Sequence, residues 1–288
     1  MALWKIVTMD GPRLASGPAT TGPLVILPAG VTIDGLLAAG RGEQFAEASA
    51  REDGEAVTSD AVLQAPIGSQ EVWAAGVTYL RSRDARMQES DAPDHYDRVS
   101  VSDRPELFFK APAWRVRASG ESIGIRDDSS WDVPEPELAV VADAHGQIVA
   151  YSIGNDVSSR SIEGANPLYL PQAKVYTDSA ALGPCLVPVQ EAPAWEDLII
   201  SLHVIRDAVE IIADELPVTA MKRHPQELVE WLYRALDFPT GAVLLTGTGI
   251  VPSENFTLCA GDEVRITITG LGELRNTVRT IRTGVADR

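Results

Sequence analysis

The segment Trp131-Asp-Val-Pro-Glu135-Pro-Glu137-Leu-Ala-Val-Val141 sets two carboxylates two positions apart at the entrance of an apolar, β-branched run. In a strand, successive side chains point to opposite faces, so Glu135 and Glu137 share a face with Ala139 and Val141. Paired negative charge then stands at the mouth of what otherwise reads as core. A buried ionised carboxylate without a partner is costly, and two close together also repel. A cation is therefore expected, and a hard divalent metal with oxygen ligands is the simplest candidate. The competing reading is a solvated strand edge, with Pro134 and Pro136 holding an exposed extended arm. The spacing alone does not choose between them.

Other candidates lie close by. Asp156, in Ile153-Gly-Asn-Asp156-Val-Ser-Ser-Arg160, ends the next strand candidate, and the His145-Gly146 turn would make the two strands a hairpin. Folding back would bring Asp156 to Glu135 and Glu137, giving three carboxylates for one octahedral cation; equally, Asp156 could cap the following helix. Lys174 and Lys110 are cations in apolar surroundings, where most lysines extend their amines to solvent. Thr246-Gly-Thr248-Gly249 closes a strand as either a plain turn or a nest of amides and hydroxyls suited to a carboxylate. No G-x-G-x-x-G follows a strand, and there is neither a phosphate-cradling loop nor a G-x-S-x-G elbow. The four histidines, His95, His145, His203 and His224, are scattered, and none pairs with cysteine at zinc-ligand spacing. Elimination favours oxygen-ligand metal chemistry.

The elements that must position these residues fall into two parts. Residues 1 to about 65 give strand-like pieces at Leu3–Thr8 and Pro23–Leu27 and a short helix near Ile33–Leu37. A polar, acidic stretch from Gly42 through Asp60 reads as a surface connection. From Val62 onward strand signals are denser: Glu71–Gly76, Glu106–Lys110, Leu138–Ala142, Ile148–Ile153, Leu198–Ile205, Val243–Thr248 and Val264–Thr269. The clearest helix runs from Pro225 to Leu236, with Pro225 at its first position and Leu228, Trp231, Leu232 and Ala235 spaced at three and four. Many strands and few crossover helices predict a β-rich roll or sandwich rather than a doubly wound sheet.

Composition limits the partners. The formal net charge of −17 argues against nucleic acid or an anionic membrane, and a small anionic substrate would need local positive charge. Only two cysteines, Cys185 and Cys259, argue against a disulfide framework and point to a reducing compartment. The N-terminus lacks a signal-peptide pattern, and no apolar run approaches the roughly 20 residues of a membrane span. A cytoplasmic protein is expected.

Taken together, these motifs resemble the fumarylacetoacetate hydrolase family over about Val72 to Val278. The matching residues are Pro105-Glu-Leu-Phe-Phe-Lys110, Glu135-Pro-Glu-Leu-Ala-Val-Val, Asn155-Asp-Val-Ser-Ser-Arg160, Lys174, Ala181-Leu-Gly-Pro184, Thr246-Gly-Thr248, Gly261-Asp262 and Gly270-Leu-Gly-Glu-Leu. Arg104-Pro-Glu106-Leu-Phe-Phe-Lys and Asn166-Pro-Leu-Tyr-Leu-Pro-Gln-Ala-Lys174 are most similar to the 2-keto-3-deoxy-D-arabinonate dehydratase branch. The His-Glu dyad of the family's hydrolases has no clear counterpart in Val77-Thr-Tyr-Leu-Arg-Ser-Arg-Asp-Ala-Arg86.

The resemblance implies a β-rich α+β fold, a mixed β-sandwich roll (residues 66–288) behind a small N-terminal α/β domain (residues 1–65). It implies Mg²⁺ on Glu135, Glu137 and Asp156, with Mn²⁺ or Ca²⁺ as substitutes. A small anionic 2-oxo acid would be bound, with Glu106 and Lys174 as the acid/base pair. Thr248, Arg160, Ser158 and Lys110 would hold substrate oxygens, in a homodimer or homotetramer. The implied reaction is dehydration of a 2-keto-3-deoxy pentonate to 2,5-dioxopentanoate. The alternatives are C–C hydrolysis of acylpyruvates or fumarylacetoacetate-type substrates, decarboxylation or tautomerisation of 2-oxo acids, and a non-catalytic metal-binding sugar-acid sensor. An acid/base pair speaks against the sensor, since binding alone needs none.

Overall fold

The structure, a computed structural model, describes residues 1–38, 42–82, 87, 99 and 101–282. The chain opens with a tight hairpin of β1 (Ala2–Thr8) and β2 (Gly11–Gly17), turned at Gly11 with φ 104°. β3 (Val25–Ile26), β4 (Glu55–Ala56) and β5 (Val62–Gln64) pair onto it. Thr32 caps α1 (Ile33–Leu37) by accepting from the Gly35 amide at 3.0 Å, which satisfies one amide that the first turn leaves unpaired. The expected surface connection from Gly42 is corrected: it begins with α2 (Gly42–Ser49), whose Phe45 is fully buried in the core that holds Leu36 and Leu37. One aromatic anchor in a polar, helix-favouring stretch is enough to dock it, since truncating a buried Phe costs about 3–5 kcal/mol.

The next strands are β6 (Glu71–Gly76), β7 (Glu106–Pro112), β8 (Ser122–Arg126), β9 (Asp132–Val133), β10 (Pro136–Ala142), β11 (Ile148–Asp156) and β12 (Ser158–Ser159). Two short helices follow, α3 (Arg160–Ala165) and α4 (Leu170–Lys174). Then come β13 (Ala180–Pro188), β14 (Ile199–Arg206), β15 (Val209–Pro217), α5 (Pro225–Leu232), β16 (Ala242–Leu245), β17 (Glu263–Ile268) and β18 (Gly272–Ile281).

The strands build one large open sheet in the order β4-β3-β2-β1-β13-β11-β10-β16-β6-β7, with β5 on β1. A second sheet runs β15-β14-β17-β18-β8, and β12 pairs with β9 apart from both. Most neighbours are antiparallel; β16–β6 and β18–β8 are parallel, so the expected mixed β-sandwich holds. Residues of β10 alternate between two cores. Leu138 and Val140 join Leu202, Val204, Val264 and Ile266 between the sheets, whereas Ala139 and Val141 join Leu245 and the α1–α2 residues on the other side. Burial on both faces explains why β10 reads as a continuous apolar run. The N-terminal strands are continuous with this sheet through β1 and β13, which meet at Leu3↔Leu186.

Other sequence expectations shift in informative ways. Helix α5 starts at Pro225 as expected but stops at Leu232, and its buried stripe is Leu228, Val229 and Leu232. Trp231 instead carries the guanidinium of Arg234 3.4 Å from its ring centroid. The strands β2, β8, β13, β15 and β18 escape the apolar-pattern reading: β13 is interrupted by Gly183-Pro184, and β15 is an edge strand with little burial. Cys185 is buried, Cys259 is exposed, and both are free thiols. No helix among the described residues is long and apolar enough to cross a membrane. Arg83 to Arg86 and His95 lie outside the described residues.

Candidate metal and active site

The β10–β11 hairpin brings the three carboxylates together. The turn at His145-Gly146 sets Pro136 opposite Asn155 and Glu137 opposite Gly154, and the Asp156 amide donates to the Glu135 carbonyl at 3.0 Å. Asn155 Oδ1 accepts from the Glu135 amide at 3.1 Å, which fixes the residue just ahead of β10. Gly154 is needed beside Glu137, because a Cβ there would stand 2.3 Å from Leu245 Cδ2. Asp156 does not cap α3; Ser159 does, accepting from the Ile162 amide.

Oxygens of Glu135, Glu137 and Asp156 lie within 4.8 Å of one another, and all three residues are buried. The Gly247 amide donates to Glu137 Oε2 at 2.6 Å, while Glu137 Oε1 is buried with no hydrogen-bond partner among the described residues. One amide of the Thr246-Gly-Thr248 turn thus serves a carboxylate of the protein itself, while the two threonine hydroxyls donate to the carbonyls of Leu138 and Ile250. Gly247 has φ 92°, and a Cβ there would meet Thr78 Oγ1 at 2.0 Å. Burial, then the charges of Asp156 and Glu135, push the Glu137 carboxyl well above its ordinary range. Three converging hard oxygen donors, one of them unpartnered, fit a divalent cation such as Mg²⁺.

Cations surround the triad. Lys174, the last residue of α4, donates to Glu135 Oε1 at 2.9 Å, Asp156 Oδ2 at 3.2 Å and Ser158 Oγ at 2.6 Å. Arg160 Nη2 lies 3.2 Å from Glu135 Oε1. Lys110 pairs with Asp156 Oδ1 from the other side and is fully buried. Neither lysine reaches solvent in the way most lysines do.

A small pocket opens onto this cluster. Glu106, Lys174, Thr248, Glu135 and Asp156 line it, so the expected acid/base pair and two of the triad carboxylates share one space. Glu106 begins β7 opposite Gly76, where a Cβ would stand 2.0 Å from Glu106 Oε2; the carboxylate occupies the room that glycine leaves. The next residue, Val77, has φ 55°. A β-branched side chain in the left-handed region costs of order 1–3 kcal/mol, and such strain gathers at functional sites. Ser158, Arg160 and Lys110 do not line the cavity; they sit behind its carboxylates. The sequence reading missed Ser82, Phe108 and Glu163, which do line it. Glu163 was legible as the residue one turn after Arg160 on α3; Ser82 carried no signal.

A mixed, open β-sandwich with a three-carboxylate centre at a cavity mouth defines a metal-dependent enzyme scaffold. Residues 71–279 match the fumarylacetoacetate (FAA) hydrolase C-terminal family, and the chain belongs to that family. It is 50% identical over 216 residues to a probable 2-keto-3-deoxyxylonate dehydratase of Haloferax volcanii, covering 75% of this chain and 74% of the relative. It is 39% identical over 225 residues to 2-dehydro-3-deoxy-D-arabinonate dehydratase of Saccharolobus solfataricus, covering 77% and 76%. The fold superposes with a TM-score of 0.84 and 31% identity on a 2-keto-3-deoxy-D-arabinonate dehydratase complexed with magnesium and 2,5-dioxopentanoate, covering 98% of this chain and 100% of that one.

Proposed function

We propose that this protein is a Mg²⁺-dependent hydro-lyase that converts a 2-keto-3-deoxy pentonate to 2,5-dioxopentanoate and water. The observation that carries this reading is the shared cavity: Glu106 and Lys174 face the same space as Glu135 and Asp156 of the metal triad. The dehydratase names of relatives at 50% and 39% identity support it. When bound by Glu135, Glu137 and Asp156, Mg²⁺ supplies Lewis-acid polarisation of a 2-oxo acid.

The chain's own groups then divide the remaining work. The reaction removes a proton from C3 and expels the C4 hydroxyl as water. A hydrogen then moves from C5 to C3, and the resulting C4=C5 enol passes its hydroxyl proton to C4, leaving an aldehyde at C5. A base is needed at C3 and an acid at the C4 oxygen, and Glu106 and Lys174 form that pair. Lys174 reaches Ser158 and two carboxylates through short hydrogen bonds, so its ammonium is held in place before substrate arrives. Thr248 holds a substrate oxygen from the cavity wall, whereas Arg160 and Ser158 act indirectly, through Glu135 and Lys174. In a chain of net charge −17, the Lys174 and Arg160 charges beside the cavity supply the local positive charge that a small anion needs.

Mn²⁺ or Ca²⁺ replaces Mg²⁺ in this reading, because the donors are all carboxylate oxygen. The same reading places the protein in the cytoplasm as a homodimer or homotetramer, with residues 1–65 as an accessory unit and 66–288 as the catalytic one. The test is a panel of 2-keto-3-deoxy sugar acids and acylpyruvates, each incubated with Mg²⁺ and with EDTA. Mg²⁺-dependent 2,5-dioxopentanoate supports dehydration; cleavage of an acylpyruvate with no turnover of any 2-keto-3-deoxy acid overturns it.

A further inference from the structure

Lys110 was expected to hold a substrate oxygen, and its surroundings give it a different task. It lies within β7, the strand that begins with Glu106, and is 0% exposed. Its ammonium donates to the Val157 carbonyl at 3.0 Å and the Lys174 carbonyl at 2.6 Å, and it pairs with Asp156 Oδ1. Two of its three N–H groups go to backbone carbonyls, and the ammonium forms an ion pair with the Asp156 carboxylate. Fully buried and committed to these three oxygens, Lys110 does not line the cavity.

Those three oxygens belong to the parts that must keep register for the chemistry. Asp156 is a triad carboxylate, Val157 follows it at the end of β11, and Lys174 ends α4. The Asp156 carboxylate is gripped from both sides, Oδ1 by Lys110 and Oδ2 by Lys174 at 3.2 Å. The Lys174 carbonyl, left over at the helix end, is claimed by Lys110 and by Ser179 Oγ at 2.8 Å. One buried point charge therefore joins the strand that carries Glu106, a carboxylate of the triad and the backbone of the second acid/base residue.

We propose that Lys110 is a positioning residue for the dehydration: it fixes Lys174 and Asp156 relative to Glu106 without touching substrate. This rests on the roles given to Glu106 and Lys174 above. A displacement near 1 Å at a reacting group costs about 100-fold in rate, so the chemical step should suffer most. Mg²⁺ binding should not weaken, because removing a cation beside Asp156 also removes its repulsion of the metal.

The test compares wild type with Lys110→Met and Lys110→Gln by steady-state kinetics at saturating Mg²⁺, Mg²⁺ calorimetry and thermal melting. Lys110→Met is expected to lose about 100-fold in kcat, with KM and the Mg²⁺ dissociation constant within about threefold of wild type or tighter. Lys110→Gln keeps two donors for the two carbonyls and is expected to recover about tenfold of that loss. If Lys110→Met does not fold, Lys110→Gln alone decides: kcat within about threefold of wild type contradicts positioning. A folded Lys110→Met with wild-type kcat overturns the proposal, as does a kcat loss fully restored by excess Mg²⁺. Wild type inactive on every 2-keto-3-deoxy acid would overturn the dehydratase reading instead, and the two failures are thereby distinct.

Discussion

Asp178 and the Glu135, Glu137 and Asp156 triad both bury carboxylates, and they resolve the cost in opposite ways. Asp178, with 0% exposure, is closed by two guanidinium forks: Arg117 Nε reaches Oδ1 at 2.5 Å and Arg279 Nε reaches Oδ2 at 2.8 Å. Both of its oxygens are spoken for, and it asks nothing of a ligand. In the triad, Glu135 and Asp156 have lysine and arginine partners, but Glu137 receives one amide on Oε2 and nothing on Oε1. Satisfied burial is structural glue. Burial that leaves converging acceptors open beside a cavity describes a site for a divalent cation.

The contrast can be pressed by mutation. The largest effect is expected at the cavity rather than in either cluster: Glu106→Gln should lower turnover by roughly 10²–10⁴-fold. Calorimetry should meanwhile find Mg²⁺ affinity nearly unchanged, since Glu106 is not in the triad; near-normal activity would remove it from the acid/base pair. Next, Asp178→Asn should cost about 1.5–3 kcal/mol in a denaturant melt, because it weakens the charge-assisted hydrogen bonds from two partly exposed arginines. Its Mg²⁺ affinity should match wild type, and a large loss of metal binding would erase the distinction between the two regions.

The smallest effect sharpens the comparison with a third buried carboxylate. Asp132 has one unpartnered oxygen, and burial lifts its carboxyl to about 6 against the opposing influence of Ser129 and Arg126. The folded chain therefore holds that proton more tightly than the unfolded chain does. The stability this lends is complete below the unfolded value, near pH 4, and is lost as pH rises through about 6. Asp132→Asn stays neutral at every pH and should be about 1–2 kcal/mol more stable than wild type at pH 8 but equal to it at pH 4. A variant that gains nothing at pH 8 would place the ionised Asp132 in a better-compensated setting than the fold indicates.

Much of the site was legible because local pattern and topology agreed. Glu135 and Glu137 sit on alternate positions, and a two-residue turn signal at His145-Gly146 was enough to fold Asp156 onto them. The central strands announced themselves as apolar runs, since β10, β11 and β16 are buried on both faces. What the chain hid depends on long-range packing. Helix α2 looked like a connection because one Phe carries its burial, and β15 and β18 alternate with polar residues on an exposed side. The role of Lys110 was equally hidden: the carbonyls of Val157 and Lys174 are 47 and 64 residues away in sequence. Nor could any pattern reveal that the Gly247 amide serves Glu137, 110 residues earlier.

The central claim is that the open acceptors of the triad hold the Mg²⁺ on which dehydration depends. The most direct test titrates Mg²⁺ into metal-free wild type and Glu137→Gln while following 2,5-dioxopentanoate formed from 2-keto-3-deoxypentonate. Wild type should form no product in EDTA and saturate with Mg²⁺, whereas Glu137→Gln should need about 100-fold more metal or never saturate. Product formation in EDTA, or superimposable Mg²⁺ curves for the two proteins, would contradict the account.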